Sequence, residues 1–126
     1  MKKIVLSDNK KKDFLKGKSI VTVFSEASTR TRSSFELAGK YLGADVINIT
    51  KSGSSMTKGE SMRDTLLTVS AMGVDAVIIR DSSEGAALFA SKVMSPKVKV
   101  PVVINAGDGG HAHPSQTMID LMTIRQ

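Results

Sequence analysis

Apolar positions along this chain fall into two alternating rhythms. Short β-branched runs recur at Ser19–Phe24, Asp45–Ile49, Ala76–Ile79 and Pro101–Asn105. Each is followed by a stretch with helical spacing: Thr31–Leu42, Ser61–Met72, Glu84–Lys92 and Ser115–Ile124. In the first of these, Phe35, Ala38 and Leu42, with Leu37 and Tyr41 beside them, recur at steps of three and four and form one apolar stripe. Ala86, Ala87, Leu88, Ala90 and Val93 do the same in the third. Gly43 and Gly73 stand where helices should stop. Strand–helix alternation of this kind predicts βαβ units, hence a single α/β domain in three layers: a four-stranded parallel sheet with helices on both faces. The strand runs are apolar almost throughout, as expected of strands buried on both faces. In such a sheet the loops leaving the carboxyl ends of the strands line the ligand crevice.

Composition narrows the choice of chemistry. With 126 residues, the chain can bury roughly 65–70 % of its unfolded surface and needs no covalent staples. It has no cysteine, which excludes a disulfide framework, a thiolate nucleophile and a Cys-type zinc site. The apolar run Val100–Ile104 is broken by Pro101, and no run is long enough for a membrane span or a signal-peptide core. Aromatic residues make up only 4 %, without Trp, which disfavours a base-stacking nucleic-acid surface. The net charge of +6 is mostly local, because residues 1–18 hold seven Lys and only two Asp. The chain therefore divides into a basic lead, 1–18, and a domain, 19–126. Lys10-Lys11-Lys12 reads as a solvated segment or as an anion-binding arm.

The four expected strand-to-helix loops carry related chemistry. The first, Glu26-Ala27-Ser28-Thr29-Arg30-Thr31-Arg32, runs straight into a helix. Hydroxyls, orphan first-turn N–H groups and guanidinium charge together suit a phosphate or carboxylate; plain N-capping by Ser28 or Thr29 is the alternative. The second, Thr50–Ser61, is rich in hydroxyls and carries Lys51 and Lys58, but it lacks P-loop spacing. It reads as a connector or as a binding loop. At the third, Arg80 directly follows a buried strand, either aimed into the crevice or paired with Asp81 or Glu84 at the surface. The fourth is Asn105-Ala106-Gly107-Asp108-Gly109-Gly110-His111-Ala112-His113-Pro114-Ser115-Gln116. Its glycines allow close backbone approach to a ligand, and Pro114 suits a first helical turn, placing His113 near the N-cap. There the helix dipole disfavours imidazolium, so a neutral His113 could offer an N–H to a carbonyl. His111, His113 and Asp108 do not match a zinc spacing, and no metal or cofactor is expected. No acid/base carboxylate pair or nucleophile–base pair stands out. The inventory points to a reaction run by positioning and charge stabilisation, on a substrate with a phosphate and a polarisable carbonyl.

These residues also carry a resemblance. Phe24-Ser25-Glu26-Ala27-Ser28-Thr29-Arg30-Thr31-Arg32-Ser33-Ser34-Phe35-Glu36 resembles the signature of the aspartate/ornithine carbamoyltransferase family. Ser54-Ser55-Met56-Thr57-Lys58-Gly59-Glu60 with Asp64-Thr65 is similar to the family's Lys-Gly-Glu loop, in its aspartate form. Val74-Asp75-Ala76 through Arg80, Glu84-Gly85-Ala86, Asn105–Gly109 and His113-Pro114-Ser115-Gln116 fit in the same order, from about Leu15 to the last residue. The Lys-Gly-Glu loop and the Asn-Ala-Gly-Asp-Gly run favour the aspartate over the ornithine type.

The resemblance implies roles. Ser28, Thr29, Arg30 and Thr31 would hold the phosphate of carbamoyl phosphate, with Arg30 also stabilising the departing phosphate. Thr31, Arg80 and His113 would polarise the carbamoyl oxygen, and Gln116 would bind the carbamoyl amide. Ser54 and Lys58 would reach into a neighbouring subunit's site, which implies a homotrimer. The amine of aspartate would attack, giving carbamoyl aspartate and phosphate in pyrimidine biosynthesis, in the cytoplasm. The family's amino-acid-binding domain and final helices have no counterpart here, and the helical lead before Ser19 is short. Three expectations follow: a carbamoyl-phosphate domain that turns over only with a complementing aspartate-binding domain or chain; a module that binds carbamoyl phosphate or phosphate, or assembles trimers, without turnover; or an inert fragment. A nucleic-acid role for the lysine arm ranks behind all three.

Overall fold

The computed structural model describes residues 9–50, 60–94 and 100–125. Strands β1 (Ser19–Phe24), β2 (Asp45–Thr50), β3 (Ala76–Asp81) and β4 (Val102–Asp108) alternate with helices α1 (Thr29–Tyr41), α2 (Met62–Ala71), α3 (Ala86–Val93) and α4 (Pro114–Ile124). All strand pairs are parallel, in the order β2-β1-β3-β4. The α/β architecture expected from the alternation is therefore present.

Side-chain alternation divides the core into two halves. Val21, Val23, Val77 and Ile79 point to one face and pack with Leu66 and Val69 of α2 and Ala86 and Ala90 of α3. Ile20, Phe24 and Ile78 point to the other, against Phe35 of α1. The first connection runs from β1 outward to β2, and the next crosses back over β1 to β3. A single crossover hand then requires α1 and α2 to lie on opposite faces, as they do.

Burial on both faces holds for β1 and β3 only. β2 and β4 are the edges, and Ile47, Val102 and Ile104 are exposed. Their apolar composition resembled that of central strands because an edge strand still packs one face. The reversal of strand order falls between β1 and β3, and a crevice opens beyond their carboxyl ends.

Candidate functional site

β1 leads through Glu26 and Ser28 into α1, which starts two residues earlier than the apolar period indicated. Ser28 occupies the N-cap position, yet its side chain makes no capping hydrogen bond. The first helical closure is Arg32 N–H to Ser28 O at 3.2 Å. The amides of Thr29, Arg30 and Thr31 are thus the orphan donors of the first turn. No acidic residue stands in that turn, and Arg30 is exposed with no carboxylate partner among the described residues. Of the two readings of this loop, capping by Ser28 is not realised.

Arg80 leaves β3 toward the crevice. Its Nε donates to Glu26 Oε2 at 3.2 Å, and its Nη1 donates to Ala106 O at 3.2 Å. Neither Asp81 nor Glu84 is its ion-pair partner. Neighbouring residues of a strand point to opposite faces, which takes Asp81 away. Asp81 instead accepts from Ser25 Oγ and, at 2.7 Å, from Ser83 N. Pairing of β1 with β3 brings Glu26 alongside.

His113 is the N-cap of α4, with Pro114 at the first helical position. Its Nε2 lies 2.8 Å from Arg80 Nη1. A guanidinium can only donate, so Nε2 accepts and the ring hydrogen sits on Nδ1, facing Ser115 Oγ at 3.2 Å. The Gln116 amide also approaches Nδ1, but at 3.4 Å, and the short charge-assisted contact to Arg80 decides the tautomer. The N–H expected to face a ligand carbonyl is therefore on Nδ1, while Nε2 is engaged by Arg80.

These side chains border one open cleft of about 1010 Å³. Ser28, Thr29, Arg30, Thr31, Arg80, His113 and Gln116 line its polar side, and Phe35, Ala38, Met118 and Ile119 its apolar side. Gln116 Nε2 meanwhile donates to Asp120 Oδ1 at 2.8 Å. Ser54 and Lys58 lie outside the described residues. The volume is at the upper end of small-molecule sites. It leaves room beside a phosphate-sized group.

The fourth loop is shaped by a register shift. Ile79 pairs with Asn105 but Asp81 pairs with Asp108, so β4 carries one extra residue. Such a bulge re-aims the backbone, and here it turns Ala106 O toward Arg80. Gly107 follows at φ +126°, where a Cβ would stand 2.9 Å from Arg80 Nη1. Asp108, buried, accepts from Asn105, Gly85, Ala112 and His111. The Asn105 amide, above all, holds its carboxyl down to about 2; burial opposes this, and His111 and the Gly85 amide add to it. Glu26 has no role readable from the chain alone, and Asp108 suggests only a metal ligand there. An Asn three residues before an Asp-Gly turn was the available signal for Asp108. No group of three His, Cys, Asp or Glu that could hold a metal ion occurs among the described residues.

The family described as "Aspartate/ornithine carbamoyltransferase, carbamoyl-P binding domain" matches residues 1–126. The chain belongs to this family. It is 56 % identical over 117 residues to the aspartate carbamoyltransferase catalytic subunit of Corynebacterium glutamicum, covering 93 % of this chain and 38 % of that one. The catalytic subunit of M. jannaschii aspartate transcarbamoylase superposes with a TM-score of 0.81 at 44 % identity, over 98 % of this chain and 39 % of that one. A Trypanosoma cruzi aspartate transcarbamoylase, crystallised with carbamoyl phosphate and aspartate, gives a TM-score of 0.79 at 33 % identity, over 90 % of this chain and 36 % of that one. The chain thus spans less than two fifths of the length of these relatives. No helix among the described residues is long and apolar enough to cross a membrane.

Proposed function

We propose that this chain binds carbamoyl phosphate as the first domain of an aspartate carbamoyltransferase. The observation that carries the reading is the meeting, in one cleft, of the uncapped first turn of α1 with the Arg80–His113 pair. The phosphate would sit on the amides of Thr29, Arg30 and Thr31, with the hydroxyls of Ser28, Thr29 and Thr31 and the Arg30 guanidinium around it. Its charge favours the positive end of α1. The carbamoyl oxygen would take the Arg80 Nη1 hydrogen bond now made to His113. Released, the ring can carry its hydrogen on Nε2 and donate to the same oxygen, with Thr31 as a third donor. Gln116 would leave Asp120 and bind the carbamoyl amide.

In the reaction itself, the aspartate amine forms a bond to the carbamoyl carbon. The carbon–oxygen bond to phosphate breaks, and the departing phosphate takes the electron pair and the proton that the amine gives up. Arg30 would neutralise the leaving charge. Binding is assigned to this chain. Turnover is assigned to a complementing aspartate-binding domain or chain joined to it in a cytoplasmic homotrimer, with Ser54 and Lys58 supplied across subunits. Non-catalytic binding of carbamoyl phosphate or phosphate is the second reading, favoured by the open side of the cleft.

Calorimetry tests the binding. Carbamoyl phosphate should release heat on the folded chain, and Arg30→Ala should weaken affinity by about tenfold or more, the size of one lost charge-assisted bond. Lys11→Ala should leave it unchanged. Equal losses would assign the anion to the lysine run. Carbamoyl aspartate formed by the pure chain would contradict the assignment of turnover to a complementing domain.

A further inference from the structure

Asp108 is the buried charged side chain among the described residues, and it contributes no atom to the cleft. Four N–H groups converge on its carboxylate. Asn105 Nδ2 and Ala112 N each donate to Oδ1 at 3.0 Å, Gly85 N donates to Oδ2 at 3.0 Å, and His111 Nδ1 lies 3.1 Å from Oδ2. The backbone N–H of Asp108 also donates to Ala112 O at 3.0 Å, closing residues 108–112 as a turn. His113 follows immediately. Gly85 is the N-cap of α3, and Asn105 begins the bulge whose Ala106 O accepts from Arg80. One acceptor-only group therefore ties the β4 bulge, the start of α3 and the turn that delivers His113.

We propose that Asp108 is a positioning residue for the cleft, fixing the turn before α4 so that the His113 ring stays beside Arg80, where both side chains can reach one ligand oxygen. The path is short, since Ala112 is held by both its N–H and its C=O to Asp108, and His113 has one peptide link of freedom from it. The consequence for ligand rests on the cleft being a carbamoyl-phosphate site. The placement of His113 does not, and it can be measured without ligand.

The experiment compares the full chain with Asp108→Asn, His113→Ala and the double variant. An amide at 108 keeps the size but replaces one acceptor oxygen by a donor, so two of the four N–H groups lose their partner. Nitrogen NMR of the imidazoles should show, in the unliganded wild type, an unprotonated Nε2 and a hydrogen on Nδ1 of His113. Asp108→Asn should lose that fixed tautomer. Calorimetry should show about a tenfold weaker carbamoyl phosphate affinity for Asp108→Asn in the wild-type background, but about twofold or less on top of His113→Ala. A folded Asp108→Asn with the wild-type His113 spectrum overturns the proposal. So does an equal loss in both backgrounds, which marks a purely structural role. If Asp108→Asn fails to fold, His111→Ala removes one donor from the exposed side and should shift the His113 tautomer partway; an unchanged spectrum then overturns the proposal. A wild type that binds no carbamoyl phosphate contradicts the proposed function, and the imidazole spectra then decide the positioning claim by themselves.

Discussion

Gly107 lies against the Arg80 side chain with no room for a Cβ. A glycine run after the fourth strand implies close backbone approach, and the sequence assigned that approach to a ligand. The structure shows one such approach, to Arg80: a Cβ at 107 would meet Nη1 at 2.9 Å, with the backbone at φ +126°. Gly107→Ala should therefore displace the guanidinium as well as strain the chain, lowering stability by about 1–3 kcal/mol. Gly17→Ala, at φ +75° with nothing within 4 Å, should be strained without touching the cleft. Thermal unfolding with phosphate calorimetry separates them: both variants lose stability, and only Gly107→Ala loses affinity. Asp108 adds a pH dependence. Its carboxyl falls from 3.8 to about 2 in the folded chain. A folded value below the unfolded one means stabilisation that is complete above the unfolded value and lost as pH falls through the folded one. Urea unfolding between about pH 5 and 2 should show wild type losing more stability than Asp108→Asn. Equal acid sensitivity would contradict the hydrogen-bond count at that side chain.

Helices show where local signals suffice. Ser61 was readable as a start, and it caps α2 reciprocally with Asp64: the Asp64 N–H donates to Ser61 Oγ at 3.2 Å, and the Ser61 N–H donates to the Asp64 carboxylate at 3.3 Å. The apolar period alone starts α1 at Thr31, because Ser28, Thr29 and Arg30 carry none of it and hydroxyl residues are weak helix formers. Its start at Thr29 shifts the orphan amides toward the chain start, so that those of Thr29, Arg30 and Thr31 face the cleft. The two serines should therefore respond oppositely. Ser61→Ala should cost roughly 1 kcal/mol with phosphate affinity intact. Ser28→Ala should leave the thermal midpoint almost unchanged and weaken phosphate binding. Midpoints and calorimetry on both variants check this, and a large loss of stability in Ser28→Ala would show that its hydroxyl serves the helix. Edge and centre do not separate by β-branched content, since β2 and β1 each carry four β-branched residues in six; which neighbours a strand gains is decided by tertiary pairing.

At the scale of the whole molecule, the alternation of strands and helices was enough to read the architecture, and strand order then decides which loops meet. The pairing of β1 with β3 is non-sequential, so nothing local announced that Glu26 would lie beside Arg80. Likewise α4 carries Met118, Ile119, Leu121, Met122 and Ile124, all exposed, and has no buried residue. Its spacing reads as a packed helix, while the described residues leave its apolar positions uncovered, as helices that meet further chain commonly are. Met118 and Ile119 still border the cleft, so the open apolar side and the first turn of α1 belong to one hollow. The most direct measurement is a crystal structure of the chain after carbamoyl phosphate is diffused in. The expected result is phosphate on the amides of Thr29, Arg30 and Thr31, with the carbamoyl oxygen within hydrogen-bond reach of both Arg80 Nη1 and His113 Nε2. Phosphate bound along the lysine run, or an empty cleft at saturating ligand, would contradict it.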